Sequence, residues 1–335
     1  MCNVARCRIE EPNPPRRFMV LGISNEAVGL AAPPMIAFIG FMYGVLALIS
    51  VLKWKTSSEI LRNVWLRSFV ALPILVAIMA SLEFGPVTWG LLLGIFTLAA
   101  HREYCMAIGM ESAAMRAVGA VTLMLLMVAG MTHDRLGLDW TGQAGTGWLA
   151  LGMFIAVIGT WAVPIVQDRA EGTTREVGRA LIGFLLGWLF IHGVFMFPLA
   201  AVGVGAVIFT VINVAMTDSF ALITGRIFGK HSFRPVLSPK KTWEGVFGGI
   251  IAAAIAGYVA QPLIPTLSSV ETAALGAVLA ILGTLGDLSL SLLKRDLGLK
   301  DWSSALPGHG GILDRVDSFI IAAPACYWIL LILGA

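Results

Sequence analysis

The chain has 335 residues, of which 58% are hydrophobic and only 13% charged, with a formal net charge of +3. Soluble proteins run nearer about 45–50% apolar and about 25% charged, so composition excludes an ordinary water-soluble domain and points to the bilayer. The small net charge says little by itself, because where Lys and Arg fall matters more than their sum, and no nucleic-acid partner is expected.

Residues 1–26 form a tail carrying Arg6, Arg8, Arg16 and Arg17. Residues 1–17 lack an apolar core, so no signal peptide is expected and the first helix should be retained. Stretches 27–52, 140–167, 180–217, 246–270 and 318–335 contain no Asp, Glu, Lys or Arg. Each can cross the hydrocarbon, which takes about 20 apolar residues, and 180–217 is long enough to cross twice. Shorter segments at 68–82, 84–100, 117–132 and 272–290 complete a set of nine or ten helices. The expected fold is an all-α polytopic integral membrane bundle, with scaffold helices over 27–200 and a region carrying the chemistry over 201–335.

Loops 53–67, 102–116, 167–179, 225–244 and 294–315 hold 18 of the 23 Lys and Arg residues, and the alternate loops hold only Arg135. Under the positive-inside rule the rich loops are cytoplasmic. Ten spans would put the tail outside whereas its arginines ask for inside, so its side stays open. Cys2, Cys7, Cys105 and Cys326 lack metal-ligand spacing and read as free thiols. The 37 glycines suit close helix packing in lipid.

Ionisable side chains concentrate in 291–317, SLLKRDLGLKDWSSALPGHGGILDRVD. Asp287, Ser291 and Lys294 are spaced i, i+4, i+7 and share one helical face. A carboxylate at membrane depth marks a functional site by default, although a structural ion pair is the other reading. Asp314 and Asp317, three apart at the start of the last span, project from one side of its first turn and can share a cation; an ordinary helix cap is the alternative. The turn Pro307-Gly308-His309-Gly310-Gly311 offers bare amides of the kind that approach anions.

A second patch runs from Asp218 to Gly245. Ser238-Pro239 reads as an N-cap with proline at the first helical position, which puts Lys240 and Lys241 in a first turn where the dipole disfavours cations and an anion would relieve the conflict. A topogenic loop explains basic charge such as Lys230 and Arg234 but not Asp218. His192 alone in an apolar span reads as a packed histidine, and nothing in the spacing of Glu83, His101 and Glu103 makes a site. The sequence contains no GxxxxGK[ST] loop and no nucleophile elbow, which disfavours a P-loop NTPase and a Ser-His-Asp hydrolase. What remains is an enzyme that binds polyphosphate with a divalent metal at a membrane face.

The run 291–317 resembles the signature of the phosphatidate cytidylyltransferase (CDP-diacylglycerol synthase) family at Ser291, Lys294, Arg295, Lys300, Asp301, Ser303, Leu306, Pro307, His309, Gly310, Gly311, Asp314, Arg315 and Asp317. Gly286-Asp287, Asp218-Ser219, Gly225, Gly229-Lys230, Ser238-Pro239-Lys240-Lys241-Thr242 and Glu244-Gly245 are similar to its secondary motifs. The specific resemblance covers about 217–318; the first 200 residues match only as apolar helices. It implies attack by the phosphate of phosphatidic acid on the α-phosphorus of CTP, giving CDP-diacylglycerol and pyrophosphate. No base is needed, since a lipid phosphate is already an anion. The difficulty is repulsion, about 4 kcal/mol for two unit charges at ~4 Å and an effective dielectric of ~20. The resemblance assigns Mg²⁺ to Asp287 and Asp314 with Asp317 and Asp218 as helpers, and leaves room for a second cation such as K⁺ and for a homodimer. Lys240, Lys241, Lys294, Arg295, Lys300 and Arg315 would neutralise phosphate charge, and Ser238, His309, Gly310 and Gly311 would shape the phosphate site. The expected location is a bacterial-type inner membrane with the site facing the cytoplasm. A CTP-dependent kinase of a lipid alcohol, and a transporter or lipid-binding scaffold, are the rival readings.

Overall fold

The computed structural model describes residues 25–33, 36, 72–136, 145–199, 202–305 and 310–334. Over these the chain is helical apart from one small hairpin. The elements are α1 Leu72–Glu83, α2 Pro86–Ala107, α3 Ala113–Leu136, α4 Thr146–Val166, α5 Thr173–Phe195, α6 Gly203–Phe228, β1 Ser232–Arg234, β2 Ser238–Thr242, α7 Trp243–Val259, α8 Ser269–Asp296, α9 Leu313–Val316 and α10 Phe319–Ile332. Helices α3 to α6 and α8 are long and apolar enough to cross a bilayer, whereas α1, α7 and α10 are apolar but shorter. The fold is a polytopic helical membrane bundle. Most of the expected first span, 27–52, lies outside the described residues, as do the arginines of the tail.

Proline and capping chemistry decide where the apolar stretches break. The 38-residue stretch 180–217 is two crossings, parted around Pro198 and Gly203. A Cβ on Gly203 would fall 2.3 Å from the Phe197 carbonyl oxygen, so only glycine lets the chain fold back there. Stretch 246–270 is not helical throughout. Helix α7 stops at Val259 after 17 residues, about 25 Å of rise and at the short end of what crosses a bilayer. Pro262 and Pro265 cannot supply the next helical amides. Ser268 then opens α8 with a capping box, its Oγ accepting from Glu271 N at 3.4 Å while Glu271 Oε2 accepts from Ser268 N at 2.8 Å.

Tryptophans and one histidine tie the bundle together with bonds from indole to backbone. Trp89 Nε1 of α2 donates to Gly193 O of α5 at 2.7 Å, and Trp188 Nε1 of α5 donates to Leu149 O of α4 at 3.0 Å. His192 is fully buried. Its Nδ1 donates to Trp188 O at 2.9 Å, and its Nε2 accepts from Trp328 Nε1 at 3.3 Å, linking α5 to α10. One buried apolar core runs through both halves of the chain, from Leu82, Leu123 and Phe184 to Phe209, Leu279 and Tyr327.

Glycine sets the spacing of α6, α7 and α8. Gly245 and Gly249, four apart, turn one face of α7 to α6, where added Cβ atoms would sit 2.7 Å from Ala221 O and 2.8 Å from Thr217 O. Gly257 meets Thr272 O of α8 at 2.4 Å, and Gly276 of α8 meets Ala253 O of α7 at 2.5 Å. Such small-residue seams let backbones touch where lipid provides no hydrophobic drive for helix association. Gly257→Leu and Gly276→Leu should each destabilise the protein in detergent by about 1–3 kcal/mol, the usual scale of overpacking. Gly178→Leu should not, since nothing lies within 4 Å of its Cβ position. Thermal unfolding of the three variants checks this, and equal melting temperatures would contradict the packing.

Candidate active site

The last turns of α8 carry the Asp287, Ser291 and Lys294 stripe as its periodicity requires. Ser291 Oγ donates to Asp287 Oδ1 at 3.4 Å. Gly283 and Gly286, on the same helix, are why another acid reaches it. With no Cβ on Gly286, the Asp317–Ser318 turn lies against α8; a methyl there would stand 2.6 Å from Asp317 O. Ser318 is 4% exposed. Its N–H donates to Asp317 Oδ1 at 2.8 Å, and its Oγ donates to Asp218 Oδ2 of α6 at 3.5 Å. Three carboxylates, Asp218, Asp287 and Asp317, therefore converge from α6, α8 and the turn before α10. Burial, then the charges of Asp287 and Asp218, push the Asp317 acid well above the usual carboxylate range. Among the described residues no group of three or more His, Cys, Asp or Glu is placed to hold a metal ion.

Cations already answer this negative charge. Lys241 forms an ion pair with Asp287, with both side chains about a quarter exposed. Lys241 and Arg315 also lie within electrostatic reach of Asp218. Lys294 Nζ bonds Asp314 Oδ1 at 2.6 Å, and these side chains are only 11% and 7% exposed.

One expectation needs correction. Ser238-Pro239 does not cap a helix. Residues 238–242 form β2, antiparallel to β1, with Ser232 opposite Thr242 and Arg234 opposite Ser238. The cap is Thr242, extended at φ −121°, whose side chain accepts from Gly245 N at 3.2 Å. A strand partner overrides the local Ser-Pro signal, so no dipole conflict acts on Lys240 and Lys241. Period-two alternation instead separates them, with Lys240 exposed and Lys241 half-buried toward Asp287.

Asp314, expected to share a cation with Asp317, also makes bonds of its own. Its Oδ1 holds Lys294, and its Oδ2 accepts from Trp302 N and Gly311 N, each at 2.9 Å. It staples the loop before α9, because α9 has only four residues and cannot satisfy the loop's amides itself. The Gly311 amide is thus taken by a side chain of its own loop. Gly310 adopts φ +80°, a left-handed conformation suited to glycine. Arg295 is exposed and donates from Nη1 to Leu299 O at 3.1 Å; Lys300 and Arg315 are exposed, and Ser238 is half-buried. His309 lies outside the described residues.

One participant carried no signal in its spacing. Glu103 of α2 is 7% exposed and reaches across to the same loop, bonding Ser303, Ile312 and Leu313. Its partners lie 200 or more positions away in the chain, beyond the reach of any spacing pattern. Beside α9, a cavity of about 130 Å³ is walled by Ile78, Trp89, Phe96, Phe190 and Phe319, with Arg315 on its lining.

Residues 65–333 match the sequence profile of the cytidylyltransferase family. The chain belongs to that family. It is 44% identical over 123 residues to a phosphatidate cytidylyltransferase of Staphylococcus epidermidis, covering 36% of this chain and 47% of that protein. With the phosphatidate cytidylyltransferase of Mycobacterium bovis it is 30% identical over 276 residues, 79% of this chain and 87% of that one. With that of Haemophilus influenzae it is 38% identical over 127 residues, 36% of this chain and 44% of that one. The alignments span under half the length of the first and third relatives and most of the second. The residues matched to the family's profile include α2, which contributes Glu103, and every element that brings Asp218, Asp287 and Asp317 together.

Proposed function

We propose that this protein is a CTP:phosphatidate cytidylyltransferase, forming CDP-diacylglycerol and pyrophosphate in a bilayer. The observation that carries the reading is the convergence of Asp218, Asp287 and Asp317 beside Lys241, Lys294 and Arg315, next to an apolar cavity. A phosphate oxygen of phosphatidic acid forms the new bond to the α-phosphorus of CTP, and the bond from that phosphorus to the oxygen leading to the β-phosphate breaks. Lys241, Lys294 and Arg315 offset the repulsion between the two anions, with exposed Arg295, Lys300 and Lys240 available to the triphosphate. The lipid chains lie in the apolar part of the bundle while Arg315, on the cavity wall, faces the lipid phosphate.

The donor set fits Mg²⁺, since it consists of carboxylate oxygens that repel one another and leave positions for water and phosphate. Asp287 and Asp314, with Asp317 and Asp218 beside them, would hold the ion, which when bound would supply positive charge against the triphosphate and the departing pyrophosphate. Asp314 also holds the loop.

Purified protein given phosphatidic acid, Mg²⁺ and CTP should move label from α-³²P-CTP, and none from γ-³²P-CTP, into the lipid phase, with equimolar pyrophosphate. Label from the γ position on a lipid alcohol would instead mean a kinase. We assign the site to the cytoplasmic face of a bacterial-type inner membrane, because the basic loops gather the charge. Sealed inverted vesicles should therefore use added CTP and right-side-out vesicles should not; the reverse would overturn the orientation.

A further inference from the structure

We propose that Glu103 is a positioning residue for the reaction, an acid on α2 that fixes Ser303 and the Ile312–Leu313 entry to α9, and with them the carboxylate that follows. Glu103 Oε1 accepts from Ser303 Oγ at 2.7 Å and from Ile312 N at 2.9 Å, and Oε2 accepts from Leu313 N at 3.0 Å. The bonds grip both ends of the loop, Ser303 at its start and the first amides of α9 at its finish. Gly311 is shaped to admit the carboxylate, for a Cβ there would stand 2.7 Å from Glu103 Oε2 and 3.0 Å from Ser303 N. Among the described residues no cation pairs with Glu103, so its acceptor capacity goes to this loop.

The position of the grip gives it consequence. Asp314, Arg315 and Asp317 follow directly on the residues Glu103 holds. Asp314 staples the same loop from the other side through Trp302 N, Gly311 N and Lys294. Two acids, one local and one from a helix 200 positions away, therefore fix the backbone that sets Asp317 against Asp287. The bland reading is a helix cap that serves stability alone. A cap of that kind would not be built from a distant helix across the amides adjoining the site, and the experiment separates the two.

The inference rests on the proposed cytidylyl transfer for its kinetic readout but not for its structural one. In the purified protein, hydrogen–deuterium exchange is followed at the amides of residues 310–313, two of which Glu103 holds, and Glu103→Gln and Glu103→Ala are compared with the parent. Glu103→Ala should lower kcat about 100-fold, the scale of a ~1 Å misplacement, with KM for CTP changed less than threefold. Glu103→Gln, which keeps an acceptor for Ser303 or Ile312, should recover part of the loss. Deuterium labelling of the 310–313 amides should accelerate at least fivefold in Glu103→Ala while the melting temperature stays within a few degrees.

Turnover within twofold of the parent would overturn the proposal. So would a loss of turnover that tracks melting temperature with labelling unchanged, which would make Glu103 a stability element only. If the parent itself transfers no cytidylyl label, the functional reading fails while the labelling comparison still decides whether Glu103 holds the loop.

Discussion

Asp287→Asn and Asp317→Asn should each lower cytidylyl transfer by about 10²–10³-fold or more, the range seen when one group stabilising developing charge is removed. Asparagine preserves size and one acceptor but cannot supply the charge a hard cation requires. The same substitutions should leave folding intact. Asp317 sits half-buried, and burial first, then the Asp287 and Asp218 charges, push its acid upward, so a neutral amide suits its surroundings at least as well as the carboxylate. Melting temperature in detergent should hold or rise as activity disappears, the signature of a residue strained for function. The Lys241 partner released by Asp287→Asn is about a quarter exposed, and pairs of that kind contribute little. Near-normal turnover in both variants would remove these acids from the reaction.

Lys294→Met is expected to act the opposite way, through stability first. It strands the Asp314 carboxylate, 7% exposed, without its cation, and breaking a buried pair costs about 3–5 kcal/mol. Asp314 keeps its bonds from Trp302 N and Gly311 N, which places the loss toward the lower figure. Adding Asp314→Asn to Lys294→Met removes the uncompensated charge while keeping an amide acceptor, so the double variant should regain most of the melting temperature and none of the turnover. Unfolding curves for the two singles and the double close the cycle. An unchanged melting temperature in Lys294→Met would mean that the pair bears no structural weight.

What the amino-acid sequence discloses and what it hides divide along a physical line. Features set within one helix are legible. The uncharged stretches mark the bundle, and the Asp287–Ser291–Lys294 face follows from 3.6-residue periodicity. Absence of charge alone does not mark helix ends, for it runs 246–270 together although Pro262 and the Ser268 capping box divide it. Ser238-Pro239 satisfies a local N-cap rule, yet strand pairing with 232–234 takes precedence and moves the cap to Thr242. The partners of Asp287 are hidden for the same reason. Lys241 and Asp317 reach it from other elements, and only the missing side chain of Gly286 admits the second. Glu103 is the extreme case, since its spacing within α2 carries no information about Ser303 or Leu313.

The bond from Glu103 to Ser303 also imposes an order in time. Membrane helices are made and inserted from the N-terminus, so α2 is in place long before its partner exists. Until nearly the whole chain has left the ribosome, Glu103 lacks the loop it anchors and Asp287 lacks Asp317. A nascent or truncated polypeptide therefore carries loose phosphate-seeking lysines but no assembled cluster, and the chemistry waits for the final span to dock.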